Sequence, residues 1–580
     1  MTSSVSSLPT SRGFLDELYL GRVRWDLLRP FPTQEPADRA AGDKTVSAIM
    51  DLLRTRVDPT RVDETAQLPD GLTDALQDGG FYRLLLDPEL GGLALSPLNT
   101  LRVVEAAASW SPAIAWSLAI GNGLGSGAYL PIVEDGPLRD LITARVRSGI
   151  VSGGADTEAN GAANHRRHAT ATPVDGGTAY LINGEKIFIG NGPLAELIDV
   201  SATVTTDGVE RIWLFFVDTA TPGCSVLGHH EFMGLKGSPF GVLRFDDVRV
   251  PAERLLPASS DEWRYAPEIA RLATLARLLI IASPSLAIAK LCLMWSRDFV
   301  NRRTMDGRPL GEYEEIQRTV AQTAADVFTI ESIIEWGLLA QDRTDTQPDL
   351  TSAKNLTSVT CWRAIDRTMA LLGGEGFETA RSKARRGAVA LPVERFLRDA
   401  RGLRIAGGVD FLQDFWSGES GLAGYYPVRP DSADHPDLTQ DAALSPRCRD
   451  HLRYLTTEAT AFGALCERLT REHTQEELMR KEHTVILIGQ VGNALLGMAV
   501  VLARAAHLAE RGRTSALDLA DIACADTRLR LAGLWPQLTG AGEPDYTGTS
   551  ESWLRGDSLD WLTDDVITDI PPIEDDAPDA

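Results

Sequence analysis

Lysine is scarce in this chain. Seven lysines (Lys44, Lys186, Lys236, Lys290, Lys354, Lys383 and Lys481) stand among 57 basic residues, against 81 acidic ones, and the formal net charge is -24. Such an acidic surface disfavours a nucleic-acid partner, because a phosphate backbone is bound by net positive charge. A soluble, cytoplasmic globular protein is the expectation, and 580 residues at 43% hydrophobic content are enough for several domains. Cysteine is also sparse: six residues with no CxxC pair indicate neither a disulfide framework nor a thiolate cluster. There is no HExxH among the nine histidines, so no metal is expected, and the pair His229-His230 reads as a surface turn. The N-terminal MTSSVSSLPTSRGF lacks the apolar core of a signal peptide. One uncharged run, Thr484 to Ala503, has nearly the length that crosses a bilayer. Its Gln490, Asn493 and three glycines point instead to a buried helix, with peripheral membrane contact as the alternative.

Periodicity divides the chain. Residues 14–148 read as an N-terminal helical domain, interrupted by the glycine turn GGFYRLLLDPELGG. Short β-type runs between Gly, Asp and Pro turns occupy 149–260 and predict a compact antiparallel barrel or sandwich. Helical periodicity returns over 261–423 as a C-terminal bundle, followed by a polar linker over 424–447 and an additional helical domain over 448–540. The acidic, proline-containing end, 541–580, reads as a disordered tail. The fold class is therefore α+β, in the order helices, β-barrel, helical bundle, extra helices.

Several motifs stand in a particular order. Gly79-Gly80-Phe81 and Pro88-Glu89-Leu90-Gly91-Gly92 come first, then Ile182-Asn183-Gly184-Glu185-Lys186-Ile187-Phe188-Ile189-Gly190-Asn191-Gly192. Met233-Gly234-Leu235-Lys236-Gly237-Ser238 precedes Phe245-Asp246-Asp247-Val248-Arg249-Val250-Pro251, and later come Arg303 to Leu310, Leu372-Gly373-Gly374-Glu375-Gly376-Phe377 and Arg398-Asp399-Ala400-Arg401. In this order they resemble the acyl-CoA dehydrogenase superfamily over roughly 81–416. The resemblance implies FAD, bound across the interface of a homodimer or homotetramer, and a thioester substrate on CoA or a carrier protein. It implies that Phe188 replaces the tryptophan lying against the flavin and that Gly190 replaces a threonine that touches it. Ser238 belongs to a flavin-binding motif, Arg303 reaches the diphosphate of a neighbouring subunit's cofactor, and Gly373 and Gly374 let backbone approach its adenosine half. In the loop Val151 to Gly161, Ser152 and Thr157 are the hydroxyls left to face the flavin. Taken singly, each feature has an ordinary structural use, as a helix C-cap, an ion-paired arginine or a core aromatic.

The resemblance breaks where the chemistry should be. The family's catalytic glutamate aligns with Gly407, and the alternative position used by some relatives aligns near Arg277; glycine cannot accept a proton and arginine is not a base at neutral pH. Three explanations compete. Asp410, three residues on, is a displaced base or merely a helix cap, with Glu375 a weaker candidate. Alternatively no base is needed, because a β-keto acid losing CO2 makes its own carbanion; Arg277 then holds the carboxylate, and reduced flavin can go on to activate O2, as in decarboxylating relatives of secondary metabolism. The third explanation is a non-catalytic acyl-binding scaffold.

Overall fold

The computed structural model describes residues 12–161, 166–257, 265–426, 441–540, 544–567 and 569. Helices begin where capping chemistry allows. Pro97–Trp110 starts after Ser96, whose hydroxyl accepts from the Asn99 N–H at 3.3 Å, and it stops before Pro112 opens Pro112–Gly123. The first helix buries Leu98, Leu101, Val103 and Val104, and the second is buried on nearly every side, as its apolar composition requires.

The middle of the chain forms one eight-stranded sheet in which β1 (Ser152–Ala155), β2 (Thr170–Val174), β3 (Ala179–Gly190), β4 (Leu197–Thr206), β5 (Val209–Asp218), β6 (Cys224–His229), β7 (Phe240–Pro251) and β8 (Leu255–Pro257) take the order β6-β7-β3-β2-β4-β5-β8, with β1 beside β4. It is mixed rather than purely antiparallel, because β1 and β2 each run parallel to β4. The alternation that suggests antiparallel pairing does hold for β3 with β7 and β4 with β5. Between Lys186 and Ile189 the register of β3 against β7 slips, and Phe188 falls in that irregularity with φ +56°. A bulge of this kind re-aims a side chain, and Phe188 is 49% exposed on a strand whose neighbours are largely covered.

The bundle is built from Pro267–Arg302, Glu314–Leu339, Gln347–Leu372, Val393–Ile405 and Asp410–Ala423. The first of these carries a π-helical turn at Leu278–Ala282, immediately after Arg277. The additional helices are Pro446–Glu472, Glu482–Glu510 and Ser515–Leu538. The long apolar run lies in Glu482–Glu510, which is mostly buried against Asp410–Ala423, Glu314–Leu339 and Pro446–Glu472. Its glycines permit the close approach: a Cβ at Gly489 would stand 1.9 Å from the Asp414 carbonyl oxygen, and one at Gly418 would stand 2.2 Å from that of Val485.

Two segments differ from the sequence expectation. The first helix, Phe14–Tyr19, packs on Pro446–Glu472 and Glu482–Glu510 rather than on the N-terminal domain, with the Tyr19 hydroxyl donating to the Ser417 carbonyl at 3.0 Å. The acidic end, expected to be unstructured, contains the helix Tyr546–Arg555, capped by Asp545 and closed by Gly556 in a left-handed conformation. That helix lies in a second compact unit, 532–580, distinct from 1–531. Most of the linker, 427–440, lies outside the described residues.

Candidate active site

Gly407 and Arg277, the two positions to which the resemblance would assign a base, meet in space. Gly407 sits in the turn between Val393–Ile405 and Asp410–Ala423 with φ +69°, a conformation that suits glycine. A Cβ there would lie 3.4 Å from Arg277 Cγ and 3.7 Å from Cδ. The Arg277 guanidinium stands 5.9 Å from the centroid of the Trp416 ring, within cation–π range. It has no hydrogen-bonded or ion-paired partner among the described residues, and burial pulls its pKa down. Asp156 offsets part of that effect without pairing with Arg277, and an anionic ligand would relieve the rest of the cost of a partly buried, unpaired cation.

Hydrogen bonds hold the turn around it. Lys354 Nζ donates to the Gly408 carbonyl at 2.6 Å, and Gln413 Nε2 donates to that of Gly407 at 2.5 Å. Burial brings the Lys354 pKa down to about 8, opposed by Asp410 and assisted by Arg277. Asp410 opens its helix with Oδ2 accepting from Arg404 Nε at 2.7 Å, so this carboxylate ties two helices together, while its Oδ1 is buried without a partner. One turn on, Asp414 accepts from Asn355 at 2.7 Å, Asn493 at 3.0 Å and Gln490 at 3.1 Å, and burial raises its pKa to about 6. The polar residues inside the apolar run thus brace the helix that follows Gly407. The long helix that carries Arg277 contributes Leu272 and Leu275, within the two preceding turns, to a cavity of about 230 Å³ shared with Tyr82, Leu85 and Leu86.

Phe188 forms the second part of the site. Its ring centroid lies 4.5 Å from that of His230, and its N–H donates to His230 Nε2 at 3.0 Å. His230 is therefore part of the aromatic wall rather than a mere surface turn, and burial lowers its pKa, which keeps the accepting nitrogen free of a proton. Gly190 is required by packing: a Cβ would meet Ile120 Cδ1 at 2.3 Å and the Phe240 ring at 3.0 Å. Thr157 flanks Phe188, since its carbonyl accepts from the Ile187 N–H at 2.9 Å. The adjoining loop is fixed by buried ions. Lys186 Nζ donates to Glu158 Oε1 at 2.8 Å, and Arg167 Nε donates to Asp156 Oδ1 at 2.8 Å. Burial alone would raise the Asp156 carboxyl, but Arg167 and Lys186 overcome it and hold it low. Ser238 lies at the mouth of the helix Pro112–Gly123, its hydroxyl donating to the Ala113 carbonyl at 3.3 Å.

Ser152 departs from the sequence expectation. Its buried hydroxyl donates to the Leu197 carbonyl and accepts from the Ser126 N–H, both at 2.8 Å, so it joins the helical domain to the sheet instead of facing a cofactor. Arg303, Gly373 and Gly374 come together on one exposed edge, where Arg303 Nη1 lies 3.2 Å from Glu375 Oε1. Arg303 is half exposed, and a Cβ on either glycine would meet nothing within 4 Å. Open backbone beside an exposed guanidinium fits a diphosphate-bearing group, and the exposed aromatic at Phe188 fits a planar ring, so the residues present suit FAD. RDAR and MGLKGS meet in the fold: Asp399 accepts from the Leu235 N–H, and a Cβ at Gly234 would stand 2.5 Å from the Arg398 carbonyl carbon.

Comparisons with known proteins bear on the family and the fold. Profiles described as "Acyl-CoA dehydrogenase, N-terminal domain", "middle domain" and "C-terminal domain" match residues 43–136, 154–248 and 270–413. The protein named "Probable acyl-CoA dehydrogenase FadE10" of Mycobacterium tuberculosis is 28% identical over 566 residues, 90% of this chain and 86% of the relative. An acyl-CoA dehydrogenase of Bacillus anthracis, solved with FAD, is 17% identical with a TM-score of 0.71 over 94% of this chain and 95% of its own. Butyryl-CoA dehydrogenase of Megasphaera elsdenii is 22% identical with a TM-score of 0.59, covering 67% of this chain and 99% of its own.

Proposed function

This chain belongs to the acyl-CoA dehydrogenase family, and on that premise we propose that it oxidises an acyl or β-keto acid substrate that brings its own anionic group to Arg277. Its cofactor is FAD, which supplies, when bound, an acceptor for the two electrons that leave with a substrate hydrogen. Phe188, Thr157 and Ser238 would hold it in one subunit, and Arg303 with Gly373 and Gly374 would reach the cofactor of a second copy.

The observation that carries the reading is the Arg277 side chain packed against Gly407 with no hydrogen-bonded or ion-paired partner among the described residues. In a β-keto acid the bond from the α-carbon to the carboxylate breaks, CO2 leaves, and the electron pair stays on the α-carbon and the neighbouring carbonyl oxygen. No side chain then has to remove the α-proton. A guanidinium attracts the carboxylate before the step and the enolate oxygen after it, so its charge is used throughout. The cavity beside Leu272 and Leu275 would take an apolar arm of the substrate. Such chemistry suits a biosynthetic role. A second reading, ordinary dehydrogenation with Asp410 as base, is favoured only by the unpartnered Asp410 Oδ1.

Anaerobic stopped-flow absorbance at the flavin bands separates them. Bleaching by α-substituted β-keto acids with release of CO2, and none by saturated acyl-CoAs, is the expected result. Bleaching by acyl-CoAs that disappears in Asp410→Asn would establish the second reading. Protein purified without flavin and unable to take it up would leave only an acyl-binding scaffold.

A further inference from the structure

A second cavity, of about 290 Å³, lies where the N-terminal segment, the bundle and the additional helices meet. It shares no residue with the candidate active site. Six of its lining side chains are Arg or Lys against three Glu, in a chain whose net charge is -24. The floor is internally paired. Lys290 Nζ contacts Glu105 at 2.8 Å, and Arg504 contacts Glu331 at 2.7 Å and Glu335 at 2.8 Å. The rim is not: Arg39, Arg511 and Arg513 are exposed and have no hydrogen-bonded acidic partner among the described residues. Leu98, Leu101, Leu286 and Ile334, all buried, add an apolar wall to the same cavity. His507, only 7% exposed, lines the same space with Nε2 buried and unpartnered.

We propose that this cavity binds a small organic phosphate, its phosphate on Arg39, Arg511 and Arg513 and its apolar body against the leucine wall beside His507. Three guanidiniums favour a multivalent head over a monocarboxylate, and the forked geometry of arginine matches phosphate oxygens. The paired floor repels a second anion, which fixes the orientation with the charged group outward. Because the site joins residues 31–39 to the helix Glu482–Glu510, its ligand stabilises their association by mass action.

The test is calorimetric titration and thermal melting of the FAD-loaded full chain with phenyl phosphate, with benzoate, citrate and inorganic phosphate as comparisons. Phenyl phosphate is expected to bind saturably and raise Tm, inorganic phosphate to bind more weakly, and benzoate not to bind. The Arg511→Gln/Arg513→Gln variant, whose changes are on the surface, should weaken phenyl phosphate binding by about tenfold or more, while Arg303→Gln leaves it unchanged. His507→Phe should weaken phenyl phosphate more than inorganic phosphate. Absence of saturable binding, equal binding of citrate or benzoate, retention in the double variant, or loss in Arg303→Gln, which would put the ligand in the cofactor site, would each overturn the assignment.

Discussion

At the scale of single residues, the chemistry turns on an exchange of charge. The resemblance to the family would place a carboxylate where this chain has Gly407, and the Arg277 side chain lies against that glycine. Restoring the glutamate alone should therefore fail. A carboxylate at position 407 would reach the Arg277 side chain, 3.4 Å from the new Cβ, and an adjacent guanidinium makes a carboxylate a poorer base. The left-handed φ adds strain of about 1–2 kcal/mol for any residue with a Cβ. Gly407→Glu should bleach with acyl-CoA no faster than wild type in anaerobic stopped flow, whereas Gly407→Glu/Arg277→Ala should bleach about a hundredfold faster than the single variant; equal rates in the single and double variants would refute the pairing. Arg277→Met should move function and stability in opposite directions. Loss of the cation should weaken binding of the β-keto acid by about 2 kcal/mol or more, read from the dependence of flavin reduction on substrate concentration. The melting temperature should hold or rise, because an unpaired desolvated charge has been replaced by an apolar chain.

At the scale of elements, close helix contacts and a buried carboxyl set the seams. The helix Glu482–Glu510 approaches Asp410–Ala423 through Gly489, so Gly489→Leu forces the two apart against backbone. A cost of about 3 kcal/mol is expected, seen as a lower denaturant midpoint, and slower flavin reduction should accompany it because Asp414 loses its brace. Between the helical domain and the sheet, Asp199 accepts from the Tyr129 hydroxyl at 3.1 Å, and burial raises its pKa to about 8 from the usual 3.8. The folded protein holds this proton where the unfolded chain has released it, so the contribution to stability falls as pH rises from about 4 to about 8 and is flat above. Asp199→Asn should remove that part of the slope and stabilise the protein at pH 9 relative to wild type, as measured by urea unfolding at pH 5, 7 and 9. A larger slope in the variant would contradict the assignment.

At the scale of the whole molecule, the additional helices support the catalytic bundle. Arg504 reaches from Glu482–Glu510 to Glu331 and Glu335, and Arg504→Ala leaves Glu335 without this partner and Glu331 with Lys290. A loss of about 3 kcal/mol is expected, with Arg504→Lys recovering part of it; a change within error in urea unfolding at pH 7 would show the pair to be dispensable. Much of this architecture was legible beforehand. Periodicity separated helices from sheet, and the motifs from Ile182 to Arg401 placed the chain among its relatives, because backbone-approach glycines and strand aromatics keep their local character wherever they occur. Other features were not legible. Ser152 has the right chemistry for a cofactor but spends its hydrogen bonds on Leu197 and Ser126, His230 becomes part of the aromatic wall only because β6 brings it to Phe188, and the first helix reaches Ser417, 398 positions away. The sequence by itself determined the composition of the site: which groups carry charge, which carry rings, and that no glutamate stands at 407 or 277. Only the tertiary structure decided that Arg277 occupies the space beside Gly407 and that Asp410 is tied to Arg404, since contacts between distant segments depend on helix crossings that no local pattern encodes.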